Sequence, residues 1–352
     1  MKILVGISHP KHVYMFKNII KLLEAKGHEF KVIAVEKEIT TYLLEQFNIP
    51  YELIGKNQPT MLMKILNLPI WEYRTLKIAN EFKPDIFIGQ AEPHFAHISA
   101  LLNKPFIVCE DTEIAKKLHR FVLPFADAII TPNCYKDDLG KKHVRFKGFF
   151  ELAYLHPGNF EPNILVLDDL GISRNDKYVI IRFVSWHAHH DVGQRGMNLE
   201  EIKKGIEELK KYARVFITSE STLPNEFKKY ELEISPVKMH DILYYASLYL
   251  GEGGTMAAEA GILGTPSIYL SSLAGILGNF EELENKYGLM YSYSETVMAL
   301  ERALDLIQND RAKQNWKLKR QKLFEDTIDV NKFLIDYIEN INNSKLLNGY
   351  HE

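Results

Sequence analysis

Gly253, Gly254, Thr255 and Glu259 carry the strongest chemical signal in this sequence. They follow a short apolar run at residues 248–251 that reads as a strand, and they open a stretch at 256–263 that reads as a helix. Adjacent glycines at such a junction permit a tight turn and close approach of backbone to a ligand. The first amides of a helix have no acceptor within it, and the helix dipole adds positive character there, so the turn is a seat for an anion. Thr255 is placed to cap the helix. Glu259, about one turn on, sets a carboxylate where it can accept from both hydroxyls of a ribose. The plain alternative is a strand–turn–helix whose glycines serve only the turn. The Thr, the Glu and the Met239-His240-Asp241 helix start upstream weigh against it.

Two further loops contain groups able to move protons or hold charge. Gly6-Ile-Ser-His-Pro-Lys-His12-Val13 follows the first apolar run and opens a helix. His12 is a candidate base because an imidazole titrates near neutral pH; the alternative is that it only caps the helix. Lys11 suits a phosphate and open solvent equally. Ser185-Trp186-His187-Ala188-His189-His190-Asp191 follows a strand ending at Val184. Three histidines and an aspartate invite a metal reading, but their order is not the His-x-His-x-Asp-His of metallo-hydrolases, and no metal is expected.

These loops need rigid elements behind them. Residues 2–8, 30–35, 51–54, 85–89, 106–109, 128–131 and 144–146 read as strands, separated by amphipathic stretches such as 12–26 and by a helix at 60–82 broken around Pro69. Residues 148–163, with Pro157, Gly158 and Pro162, interrupt the rhythm as a hinge. A second series follows, with strands at 178–184, 215–218, 248–251 and 267–270, and helices across most of 281–342. Alternating strands and helices imply parallel sheets covered on both faces, with ligands beyond the carboxyl ends of the strands.

Bulk properties narrow the class. A chain of 352 residues suits two domains. A formal net charge of −3 offers no global basic field for nucleic acid. Cys109 and Cys134 form no disulfide or zinc pattern. No apolar run reaches a membrane span and none has the form of a signal peptide, so a cytoplasmic protein is expected.

The Gly-Gly-Thr…Glu segment, and nearly the whole chain with it, resembles the GT-B superfamily. That superfamily includes the non-hydrolysing UDP-N-acetylglucosamine 2-epimerases and the N-acetylglucosaminyltransferase that forms lipid II. The chain is most similar to an archaeal and bacterial group within it that shares the His-Pro-x-His-Val loop. The resemblance implies two Rossmann-like, doubly wound parallel-sheet domains facing a cleft. An acceptor or sugar domain would span 1–160 and a nucleotide-sugar domain 161–325, with a C-terminal helix and tail at 326–352. It implies that Gly253, Gly254 and Thr255 hold a diphosphate and Glu259 a ribose. The loop before the Met-x-x-Leu helix, with Met239 and His240, would border the base, and Ser219 and Glu220 would border the nucleotide. Ser185 and His187 match the Thr-x-His of the epimerases, which would turn His187 toward the diphosphate or sugar, with Arg195 assisting. Glu252 departs from the small residue usual there; a carboxylate beside a diphosphate repels it unless it points away, binds a cation or acts on the sugar.

Within the superfamily the epimerases need acids beside the sugar. Glu110, in Val108-Cys109-Glu110-Asp111, matches the acid of Val-Glu-Ala-Gly. Residues 115–120 carry Lys116 and Lys117 where Pro-Glu-Glu-x-Asn-Arg has acids. Glu92, in Gly89-Gln90-Ala91-Glu92, stands near the position of the acid of Gly-Asp-Thr-Thr. The altered acids favour transfer of a sugar from a UDP-sugar-type donor to an acceptor, with His12 or Glu110 as base and no cofactor. Isomerisation of the sugar and binding without catalysis are the alternatives. Lys116 and Lys117 could meet a phosphorylated acceptor, although a solvated helix face fits them as well. The basic helix at 310–322 offers peripheral contact with a membrane, against the plainer reading of a solvated helix.

Overall fold

A computed structural model describes residues 1–184 and 198–341. The chain divides into two compact units, Met1–Tyr154 with Ile328–Glu352, and Leu155–Thr327. The first unit is built on seven strands: β1 (Lys2–Ile7), β2 (Glu29–Glu36), β3 (Tyr51–Lys56), β4 (Ile86–Gly89), β5 (Phe106–Cys109), β6 (Ala128–Pro132) and β7 (His143–Phe146). All pairs are parallel, in the order β3-β2-β1-β4-β5-β6-β7. The central strands are buried at every position of β4, β5 and β6, which is why they read as unbroken apolar runs. The order reverses between β1 and β4, leaving a crevice beyond their carboxyl ends where two connections diverge.

The second unit holds β8 (Tyr178–Phe183), β9 (Arg214–Ser219), β10 (Leu248–Gly251), β11 (Ser267–Leu270) and β12 (Tyr291–Tyr293). These too are all parallel, ordered β12-β11-β10-β8-β9, with the reversal between β8 and β10. The loops after those two strands are 184–198, largely outside the described residues, and the Glu252-Gly253-Gly254 turn.

Four elements differ from the sequence reading; one is the strand Tyr291–Tyr293, which lies within the stretch read as mostly helical. The helix Met61–Phe82 runs on through Pro69. The carbonyl that Pro69 leaves without a donor lies among exposed residues, where water can replace the missing bond. Thr255 does not cap its helix: the cap position is Gly253, no side chain bonds there, and Thr255 lies inside the first turn of Gly254–Ile262. The basic helix Ala312–Asp326 turns three of its cations inward and leaves Lys317 and Lys322 exposed to solvent, as a solvated helix would. Lys313 donates to the carbonyls of Tyr244 (2.5 Å) and Ala246 (2.7 Å), Lys319 to Gly288 (2.7 Å) and Arg320 to Ile262 (2.8 Å). Those groups satisfy loop and helix-end carbonyls and are not presented to a lipid surface.

Candidate functional sites at the strand ends

In the second unit, β10 ends at Gly251 and the chain turns at once into Gly254–Ile262. The turn is crowded. A Cβ on Gly251 would lie 2.5 Å from the Tyr249 hydroxyl, and one on Gly254 2.6 Å from the Phe280 ring. Tyr249 fixes the turn by donating its hydroxyl to the Gly253 carbonyl at 3.1 Å. Ala257 is the first residue of the helix whose amide reaches back to it, bonding Gly253 at 2.9 Å, so the amides of Gly254, Thr255 and Met256 lack an intrahelical acceptor. All three residues are half-buried.

Glu259 lies one turn further on and is buried, with Oε1 3.2 Å from Nε2 of His240, itself buried. The helix Met239–Tyr245 carries His240, and Phe160 meets its ring edge-on at 6.3 Å. Glu252 is directed back into the fold, where Oε2 accepts the Val184 amide at 2.9 Å. The repulsion raised by a carboxylate next to an anion seat is thereby reduced. Arg182 on β8 was not anticipated from the sequence. It donates to the Thr218 hydroxyl at 2.6 Å and to Glu220 at 2.9 Å, so Glu220 is a partner of this arginine. Ser219 ends β9 and its hydroxyl oxygen accepts the Ser221 amide at 3.1 Å. Ser185, His187, Arg195 and the rest of the histidine cluster lie outside the described residues. Among the described residues, no group of three or more His, Cys, Asp or Glu is arranged to hold a metal ion.

In the first unit, polar side chains collect at the ends of β1, β4, β5 and β7. Lys11, for which the sequence offered phosphate or solvent, meets neither. It is buried, in contact with Asp111 and 2.8 Å from Glu151. Burial opposes its charge, but the two carboxylates outweigh that and raise its pKa. Glu151, whose ionisation burial disfavours, titrates above the usual range despite Lys11.

His12 is third in the helix Pro10–Ala25, whose cap is His9. Its Nδ1 accepts the Ser8 amide at 3.3 Å, so the proton of the neutral ring sits on Nε2, and Gln90 is its side-chain partner. Burial, helped by Lys11, lowers its pKa to about 4 against the opposing pull of Glu92, Gln90 and Asp111. Glu92 occupies the N-cap position of the helix Pro93–Leu101 without a side-chain cap bond and is buried 3.1 Å from His94 Nε2. Burial works against its charge, yet His94, Ser8 and His12 prevail and hold its carboxyl below the ordinary range. Gly6 permits this approach of β1, since a Cβ there would lie 3.2 Å from Glu92 Oε2. Glu110 organises the turn after β5: its Oε1 accepts the amides of Asp111 (3.0 Å) and Thr112 (2.8 Å), and Oε2 lies 3.4 Å from His119. Glu113, His94 and Glu151 joined this buried set without a sequence signal beyond their type.

A family of proteins of unknown function, DUF354, matches this chain over residues 1–339. The chain belongs to that family. An uncharacterized protein of Methanocaldococcus jannaschii is 24% identical over 289 residues, 77% of this chain and 83% of its own length. Among solved structures, the Staphylococcus aureus MnaA–UDP co-structure superposes with a TM-score of 0.70 at 15% identity, covering 97% of each chain. The spinosyn forosaminyltransferase SpnP gives 0.65 at 13% identity, over 97% of this chain and 99% of its own. The UDP-GlcNAc 2-epimerase of M. jannaschii gives 0.64 at 15% identity, over 92% and 100%. The architecture is therefore GT-B, a fold on which both transferases and epimerases are built. No helix among the described residues is long and apolar enough to cross a membrane.

Proposed function

We propose that this protein binds a nucleoside-diphosphate sugar, UDP-linked in the first instance, and transfers its sugar to a hydroxyl-bearing acceptor. One observation carries the reading: helix amides without intrahelical acceptors at Gly254, Thr255 and Met256, backed by the buried Glu259–His240 pair. The amides take the diphosphate, where charge develops as the sugar departs. Glu259, oriented by His240, accepts from the ribose hydroxyls, while His187 stays a candidate partner of the diphosphate.

Glu92 takes the acceptor proton. It is buried and ionised, whereas His12 as placed holds its proton on Nε2 and acts as a donor that orients. Burial of Glu92, Glu110, Asp111 and Glu113 in the same unit, against Lys11 as the one buried lysine among the described residues, favours an uncharged or amine-bearing acceptor over a phosphorylated one. A second reading, isomerisation of the sugar at C2, is supported by the burial of Glu92 and Glu110 beyond the ends of the adjacent strands β4 and β5.

The test is incubation with UDP-sugars, alone and with neutral sugar acceptors, while UDP release, 2-epimer and glycosylated product are followed. Transfer predicts product and UDP in equal amounts, with Glu92→Gln lowering turnover but leaving UDP affinity intact. A 2-epimer formed without acceptor would replace the first reading by the second. Failure of UDP to bind in calorimetry would overturn both.

A further inference from the structure

The helix Met61–Phe82 exposes what most helices bury. Its buried residues, Thr75, Ile78 and Ala79, all lie in the C-terminal half. In the first ten residues Met61, Leu62, Met63, Ile65, Leu66 and Ile70 are exposed, Leu62 by 67% and Leu66 by 66%. Single exposed aliphatics need no account, but six within ten residues form a patch of the kind that marks an interaction site.

Within the two segments that carry this patch every Asp, Glu, Lys or Arg is basic, with Asp137 3.5 Å from Lys116 and Glu72 just beyond the first segment. Residues 53–71 contain Lys56 and Lys64 and no Asp or Glu. A second segment of the same unit, residues 114–126, contains Lys116, Lys117 and Arg120, again with no acid, and exposes Ile114, Phe121 and Phe125. His97 links the two. Its Nδ1 lies 2.5 Å from Glu72 of the long helix, and its ring lies 5.3 Å from that of Phe125. Both segments thus flank the helix Pro93–Leu101 on one side of the sheet. In a chain of net charge −3, these two segments are locally cationic.

We propose that this face of the first unit, residues 61–70 with 114–125, docks on the surface of an anionic lipid bilayer. The aliphatic and aromatic side chains enter the headgroup boundary, and Lys64, Lys116, Lys117 and Arg120 meet lipid phosphates. A second copy is the less favourable occupant, because a two-fold contact would set this cationic face against itself. The inference does not depend on the nucleotide site.

The test is sedimentation of the full chain with vesicles of phosphatidylglycerol and phosphatidylcholine, and with phosphatidylcholine alone, at low and high salt. Wild type pellets with the anionic vesicles at low salt, and high salt releases part of it. The variant Leu62→Gln/Leu66→Gln stays in the supernatant. Lys116→Gln/Lys117→Gln loses roughly fivefold in partitioning for each charge removed. Exposure of all four positions means these variants fold, which circular dichroism checks. The proposal is overturned if wild type ignores anionic vesicles or if the leucine variant binds them equally well. It is also overturned if sedimentation velocity shows a dimer that the leucine variant dissociates, which would assign the face to a second copy.

Discussion

Glu259 and His240 face each other at 3.2 Å with both side chains buried, so each orients the other. Hydrogen bonds from ribose hydroxyls to a carboxylate are charge-assisted and worth about 1.5–3 kcal/mol. Glu259→Gln therefore weakens UDP binding by about tenfold to a hundredfold in calorimetry, and an unchanged affinity would remove Glu259 from the site. His12 makes a second prediction, in pH. Its pKa is lowered from 6.5 to about 4 in the fold, so between those values the unfolded chain binds the proton and the native protein does not. Stability then rises with pH across that window and is lost as the pH falls from 6.5 toward 4. The span is on the order of 3 kcal/mol at most. Denaturant titrations of His12→Gln are expected to show a flatter dependence between pH 4 and about 6.5. An identical slope would mean that His12 is not held neutral by burial.

At the scale of elements, the glycines of the second unit serve packing as well as the turn. A Cβ on Gly261 would lie 2.7 Å from the backbone carbonyl of Leu289, which cannot rotate away. Gly261→Ala is expected to destabilise by about 1–3 kcal/mol, read as a lowered melting temperature with UDP affinity per folded molecule preserved. Eleven of the twelve strands and the Gly253-Gly254 turn were legible in the sequence because apolar runs and glycine pairs are local signals; Tyr291–Tyr293, three half-buried residues at the sheet edge, has no such run. Glu259 could be placed from spacing alone. Its pairing with His240 could not, since nothing in a 19-residue separation announces contact. Lys11 shows the same limit in reverse. A lysine in a loop reads as solvated, and only the fold brings Asp111 and Glu151 to it from a hundred and more residues away. The inward turn of Lys313, Lys319 and Arg320 was likewise invisible, because whether a basic helix meets water or carbonyls is settled by what packs against it.

For the whole molecule, the division into two units has a thermodynamic consequence. Each unit has its own parallel sheet and its own buried core, so unfolding need not be a single two-state event. A ligand stabilises what binds it by RT ln(1 + [L]/Kd), about 2.7 kcal/mol at a hundredfold excess over Kd. For a unit of this size, at about 2–4 °C per kcal/mol, that corresponds to a rise of roughly 5–11 °C in its midpoint. If calorimetry resolves two transitions, UDP is expected to raise the one belonging to Leu155–Thr327, and Glu259→Gln to cancel most of the rise. The transition of the other unit is expected to stay in place with UDP and to move with pH, since His12, Glu92 and Glu151 all reside there. Assigning the transitions needs a probe in each unit: Trp71→Phe leaves emission only from the tryptophans of the second unit's range, and Trp186→Phe/Trp316→Phe leaves Trp71 of the first. A rise confined to the Trp71 unit would place the nucleotide on the wrong half of the chain and remove the anion seat at Gly254 from the mechanism.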